Sequence, residues 1–418
     1  MWRFLKIYKL MMSRFAFFLF LNIFSIGILV AEQDNHSGNH DTHAAYDPAA
    51  TAIHHISDGN VYTILDAVTF PLPTILYAPE KGWDIFFSSV FHAGHHEDGH
   101  HSYNGYVLHH GSVFRVAEPG FPMEGSVELE GFKHTEEEVN GKKTDRYFVN
   151  YQGKAYILDS RSTLDGGVLG GSLTSFYDFS ITKNVLSMLM VFGFMFWAFR
   201  TAASRYRNHP DSAPKGIQAF LEPIFLFIRD EVAVPFIGKH KYMKFFPLLL
   251  SIFFFILGLN LFGQIPFLGS TNVTGNLSVT FIIAFIVFIV VNINGNKHYW
   301  QHIFWMPGVP VPVRILLAGV EGMSLFIKPL TLMLRLAGNI SAGHIAILSF
   351  IGLIFIFGNA GQSVGGGVIG TFMAIPLTLF MMAIELIVAF VQAFVFTILT
   401  ASYIGAAIEE HHHAEEHH

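Results

Sequence analysis

Two apolar runs near the end of the chain, residues 313–357 and 368–408, are each about twice as long as a membrane span requires. A hydrocarbon core of roughly 30 Å needs about 20 helical residues at ~1.5 Å each. The first run has 45 residues, the second 41, and ten residues rich in Gly, Ser, Asn and Gln separate them. Neither contains a loop that would fold it into two full spans, and Pro329 and Pro376 mark bends at most. The pair reads as a hairpin of two very long helices, strongly inclined in a bilayer. Ordinary inclinations reach only about 40°, so a curved partner surface is expected to shape it.

The rest of the chain fits the same environment. It is 52% hydrophobic and 13% charged, where a soluble domain has about 25% charged residues. Apolar segments at 185–198, 245–267 and 277–293 precede the hairpin, giving five spans. Arg200, Arg205, Arg207, Lys215, Lys239, Lys241 and Lys244 crowd the loop after the first span, which marks it as cytoplasmic. The loops 269–276 and 358–367 carry no charge, so the signs alternate with the N-terminus outside and the C-terminus inside. The expected fold is an all-α polytopic membrane protein with an N-terminal extracytoplasmic region that is mainly β or irregular. A net charge of −6 gives no sign of nucleic-acid binding, and zero cysteines exclude disulfide and thiolate chemistry.

Before the first span the composition changes. Arg3, Lys6, Lys9 and Arg14 lead into an apolar core at 15–30, so residues 1–31 read as a signal peptide. Residues 32–175 are polar and Gly-rich and hold 13 of the 23 histidines. YVLHHGSVFRV, and DRYFVNYQGKAYILD after the turn Asn140-Gly141, suggest a small β meander. HHEDGHH, His95 to His101, has metal-ligand residue types, but its Gly-rich polar setting fits a solvated loop with no specific metal. The membrane domain is assigned to 176–410, and the His/Glu-rich residues 411–418 to a solvated cytoplasmic tail.

Beyond Arg314 at its start, five charged or His side chains lie inside the hairpin: Glu321, Lys328, Arg335, His344 and Glu385. Each costs at least a few kcal/mol at the bilayer centre unless it faces protein or water. Glu321, Lys328 and Arg335 are spaced by seven and share one helix face with Asn339. Lys328 reads as a structural ion pair with Glu321. Arg335 has no acid three or four residues away, so its counter-ion must come from elsewhere. Counting from the turn, His344 and Glu385 fall at similar depth and form a pair that handles protons on the external side. Arg335 falls opposite Gln392, and Glu321 lies toward the cytoplasmic end. A guanidinium stays charged at any working pH, so it separates two half-paths and holds a passing carboxylate ionised.

The segment EGMSLFIKPLTLMLRLAGNISAGHIAI, with VQAFVFTILTASYI and a Glu-rich tail after it, resembles subunit a of the rotary F-type ATP synthase. The similarity spans about 177–410 and includes STNVTGNLSVT before the third span. The resemblance implies an essential arginine at Arg335, with Asn339 and Gln392 nearby. It implies that His344 and Glu385 form the external half-channel pair and that Glu321 lines the cytoplasmic half-channel. It also implies a ring of c subunits, b subunits of a peripheral stalk and the rest of the F1Fo complex as partners, in a bacterial inner membrane, with no cofactor. The chain has no Gly-rich phosphate loop of the Walker type, so it is expected to make no ATP itself. Two rivals are a stand-alone ion-coupled secondary transporter and a metal-binding receptor with a membrane anchor. Transporters usually carry internal repeats and broken helices, which are not evident here, and five buried charges exceed what an anchor needs.

Overall fold

A computed structural model describes residues 58–64, 68–92, 98–139, 142–162, 173–209, 212–265, 271–306, 309–358 and 363–409. The signal segment, the tail 411–418, the turn Asn140-Gly141 and His95 to Glu97 lie outside the described residues.

Among the described residues the N-terminal region has twelve strands: β1 (Val61–Ile64), β2 (Val68–Pro71), β3 (Pro73–Ala78), β4 (Gly82–Phe87), β5 (His101–Tyr103), β6 (Tyr106–His109), β7 (Ser112–Arg115), β8 (Ser126–Glu128), β9 (Gly131–Val139), β10 (Lys142–Tyr151), β11 (Lys154–Ile157) and β12 (Tyr177–Asp178). They form four antiparallel sheets, β1-β2, β12-β3-β4, β7-β6-β5-β8 and β11-β10-β9. The expected hairpins are present, but the region is more than one meander. β8 returns to pair with β5, and β12, just before the helices, pairs with β3. Asn104-Gly105, His110-Gly111 and Gln152-Gly153 turn the hairpins with positive φ at both residues, the conformation whose twist matches a two-residue hairpin. Two apolar clusters fill the interior. One is centred on Leu76, Phe91, Tyr106 and Phe176, the other on Val107, Val116, Val149 and Tyr156.

The helices begin without a flexible break. α1 (Lys183–Asn208) is capped by Thr182, while the N–H of Lys183 donates to Gly59 and that of Asn184 to the Asp58 carboxylate. These contacts satisfy donors that a helix start leaves open. α1 runs past the expected end at 198 because the arginine-rich stretch stays helical. The amphipathic segment that follows gives α2 (Ile217–Phe227), a π-helical turn at Ile228–Ala233 and the short α3 (Val234–Ile237). α4 (Tyr242–Gly263) is buried along most of its length. α5 (Leu277–Ile293) is followed by α6 (Lys297–Phe304) across a bend of 106°. α7 (Val311–Phe357) and α8 (Val364–Ile408) form the long hairpin, 47 and 45 residues, or roughly 70 Å each. Among the described residues four helices are long and apolar enough to cross a membrane, and α5 with α6 makes a fifth, bent candidate.

α4 lies against both α1 and α8, and α5 lies against α7, so the hairpin rests on a shared apolar core. The C-terminal end of α8 is held in place. Lys241 Nζ and Asn296 Nδ2 donate to the Ile408 carbonyl at 3.2 and 3.0 Å, and the Asn296 N–H donates to Ala407 at 2.9 Å. Gly405 admits the α3 backbone: a Cβ there would stand 2.0 Å from the Phe236 carbonyl oxygen.

Candidate functional site

The charges expected inside the hairpin separate onto two sides of α7. His344 is nine residues beyond Arg335, half a turn round the helix at 100° per residue. Arg335 and Asn339 are exposed, as are Leu334, Gly338 and Ala342 on the same stripe. Among the described residues no acid stands within ion-pair distance of Arg335, although its charge reaches the Tyr403 hydroxyl. Gly338 has open space where a Cβ would go. Gln392 is buried on α8, seven residues beyond Glu385 and on the same face, and no hydrogen bond joins it to Arg335.

His344 turns inward and meets the acid that depth counting assigned to it. Its Nε2 lies 3.7 Å from Glu385 Oε1, with side chains only 11% and 3% exposed. No hydrogen-bond donor reaches that Oε1 among the described residues. A carboxylate oxygen buried without a donor is costly, and the His344 imidazole is the basic group within ion-pair distance of it among the described residues. Two glycines let the groups come together. A Cβ on Gly343 would stand 2.9 Å from Glu385 Oε1, and one on Gly263 would stand 2.6 Å from the Thr271 carbonyl and 3.8 Å from His344 Nε2.

Around this pair is a set of buried polar groups that the sequence reading passed over. Gln264 donates to the Glu385 carbonyl at 2.8 Å, and Asn260 to the Ala389 carbonyl at 3.2 Å. Thr274 donates to Asn260 at 2.7 Å, and Asn272 to Ser341 at 3.3 Å. Thr271, Asn272, Thr274 and Asn276 are all buried. The chain thus carries hydrogen-bonding side chains from the uncharged loop 271–276 to the end of α4 and the middle of α7. The signal was available: Asn260 and Gln264 are one turn apart at the end of an apolar helix, beside a loop dense in Thr and Asn.

At the opposite end of the hairpin, α5, α6, α7 and α8 line a partly open cleft with a cavity volume of about 30 Å³, with Asn292, Tyr299, Lys328 and Tyr403 as its polar lining. Lys328 does not pair with Glu321 as expected. Seven residues are two helical turns, about 10 Å along the axis, and the Lys328 ammonium instead stands over the Tyr403 ring at 5.6 Å. That contact is a cation–π arrangement. Glu321 is half-buried near the same end, and its charge reaches the Tyr299 hydroxyl. The arrangement offers polar groups approaching one long helix from both ends, with an exposed cation between them.

Comparison with known proteins places the chain in a family. Residues 184–405 match the family described as ATP synthase A chain, and residues 51–130 match a domain of unknown function (DUF8433). The chain is 35% identical over 289 residues to ATP synthase subunit a of Anaeromyxobacter dehalogenans, covering 66% of this chain and 70% of that one. It is 32% identical over 280 residues to ATP synthase subunit a of Myxococcus xanthus, with 63% and 84% coverage. A third relative, ATP synthase subunit a 2 of Chlorobaculum tepidum, is 38% identical over 237 residues, with 55% and 64% coverage.

Proposed function

The chain belongs to the ATP synthase A chain family, as the proton-translocating stator subunit of Fo and a multi-pass membrane component of the F1Fo complex, and from this premise we propose how its residues divide the work. Other subunits carry the ATP chemistry. Protons pass the external side through the polar groups around His344 and Glu385, and the cytoplasmic side through the cleft near Glu321. Arg335, with Asn339 and Gln392 near its level, lies between the two half-channels. Its partner is the ionised carboxylate of a c-subunit ring, which is held beside the guanidinium and takes up a proton after leaving it.

One observation carries this reading: Arg335 is exposed on a helix face with room beside it at Gly338, and no acid of its own chain neutralises it among the described residues. A buried or lipid-facing charge without a counter-ion is unstable, and a counter-ion supplied by a moving neighbour resolves that cost. The b subunits of the peripheral stalk are the partners expected to hold the chain still. The loop charges support an N-terminus outside and the C-terminal residues 411–418 in the cytoplasm, and the family resemblance supports a bacterial inner membrane. Residues 1–31 act as the signal peptide, 32–175 as an extracytoplasmic region and 176–410 as the membrane domain.

Arg335→Ala in inverted membrane vesicles should abolish ATP-driven proton pumping, while ATP hydrolysis by detached F1 is unchanged. Vesicles that pump at the normal rate with this variant remove Arg335 from the mechanism.

A further inference from the structure

Outside the membrane helices, the turn of the β6–β7 hairpin gathers titratable side chains that proton transport does not use. Asp98, His109 and His110 each bring one donor atom within 4.8 Å of the other two. Neighbouring strand residues normally project to opposite faces. His110 departs from that rule because it takes φ 47° at the turn, a left-handed conformation disfavoured for any residue with a Cβ. The two imidazoles lie side by side, ring centroids 4.1 Å apart. His109 is buried, stacked on Phe132 at 4.3 Å and edge-on to Tyr147 at 5.2 Å, so its orientation is set in advance. Asp98 Oδ1 stands 2.9 Å from His109 Nδ1 and accepts the His110 N–H at 2.7 Å. Burial alone raises the Asp98 carboxyl, but the contacts with His109 and His110 outweigh it and hold it below its ordinary value.

We propose that Asp98, His109 and His110 form a binding site for one divalent transition-metal ion of the zinc class, with water as the fourth ligand. Two imidazole nitrogens and a carboxylate oxygen are a donor set these ions accept in four-coordinate geometry. Calcium and magnesium require oxygen ligands in greater number, which disfavours them here. The ion clamps the β6–β7 turn to the segment leading into β5. Only Asp98 belongs to the HHEDGHH stretch that drew notice in the sequence; the other two ligands come from the HH pair eleven residues on.

Cobalt(II) titration of the full-length protein in mild detergent, stripped of metal beforehand, tests the site. Four-coordinate cobalt absorbs intensely and octahedral cobalt weakly, so histidines that bind adventitiously give a different spectrum. The intense band should appear at about one equivalent, and zinc should displace it. His110→Asn keeps a residue that tolerates the left-handed turn, and Asp98→Asn keeps an acceptor for the His110 N–H. Each should lose the band and weaken zinc binding roughly tenfold or more in competition with a chromophoric chelator. The metal-free variants should remain folded, with Asp98→Asn melting below the metal-free wild type because it loses the carboxylate's contacts with His109 and His110. A weak octahedral spectrum in the wild type overturns the proposal whatever the variants do. Equal band intensity and equal zinc affinity in all three proteins overturn it as well.

Discussion

At the scale of single residues, the hairpin uses its glycines and its charges together. Gly343 is where it is because Glu385 needs the space: a Cβ would press on the carboxylate at 2.9 Å. Gly343→Ala should slow proton transport by about tenfold, on the order of 1.4 kcal/mol of barrier, without lowering the amount of assembled enzyme. Normal transport in that variant would mean that the carboxylate has room the structure does not give it. Exchanging His344 and Glu385 between helices should retain more pumping than Ala at either position, since the pair acts through its shared depth; an exchange as inactive as the double Ala variant argues against pairing. Gly338 supplies the contrasting case. A Cβ there would meet no neighbour within 4 Å among the described residues beyond its own helical turn, so Gly338→Val should leave the melting temperature of the isolated subunit unchanged and lower coupling only in the assembled complex. Arg335, His344 and Glu385 were legible in the sequence because an ionisable group in an apolar run is expensive. For Asn260, Gln264 and Thr274 the sequence showed where polar groups cluster but not their partners, because neutral amides and hydroxyls look the same whether they bond to a neighbour or to their own helix backbone.

At the scale of elements, run length located the hairpin and apolar stretches located the spans, since both follow directly from a bilayer's thickness. Periodicity was less informative about boundaries. Apolar scoring ended α1 at 198, ten residues before the helix does, because Arg200, Arg205 and Arg207 favour the helix as much as they disfavour hydrocarbon. The pairing of β5 with β8 was hidden because alternation marks a strand but not its partner. One close approach should control how α8 seats: Gly405→Leu meets the Phe236 carbonyl and should lower the melting temperature of the detergent-solubilised chain by several degrees, corresponding to about 1–3 kcal/mol of overpacking. In the β region, the depressed Asp98 carboxyl contributes stability above the ordinary Asp value near pH ~4, and that contribution disappears as pH falls through the lower folded value. Metal-free protein should therefore lose protection of its β6–β7 amides in hydrogen exchange as it is acidified below about pH 4. In Asp98→Asn that added acid sensitivity should be absent.

At the scale of the whole molecule, the absence of cysteine makes orientation directly measurable. A cysteine placed at exposed Ser126 should react with a membrane-impermeant reagent added to intact cells lacking an outer barrier, and one at exposed Ser212 only after the membrane is opened. The opposite pattern would invert the topology and with it the assignment of the two half-channels. The N-terminal region remains the part least explained by sequence. Its function is not set by hydrophobic length or buried charge, and it is tied to the start of α1 by the Lys183 N–H bond to the Gly59 carbonyl and the Asn184 N–H bond to the Asp58 carboxylate.

The anchoring of α8 at its last turn has a mechanical consequence. Glu385 lies 22 residues before Ala407, roughly 33 Å along the helix from the bonds at Asn296 and Lys241. Sideways load applied near Glu385 reaches those bonds through a lever of that length, and α4 is the wall that bears it. Reaction torque is thus resisted by the packed side of α8 along its length, while the pinned tip fixes the lever's pivot.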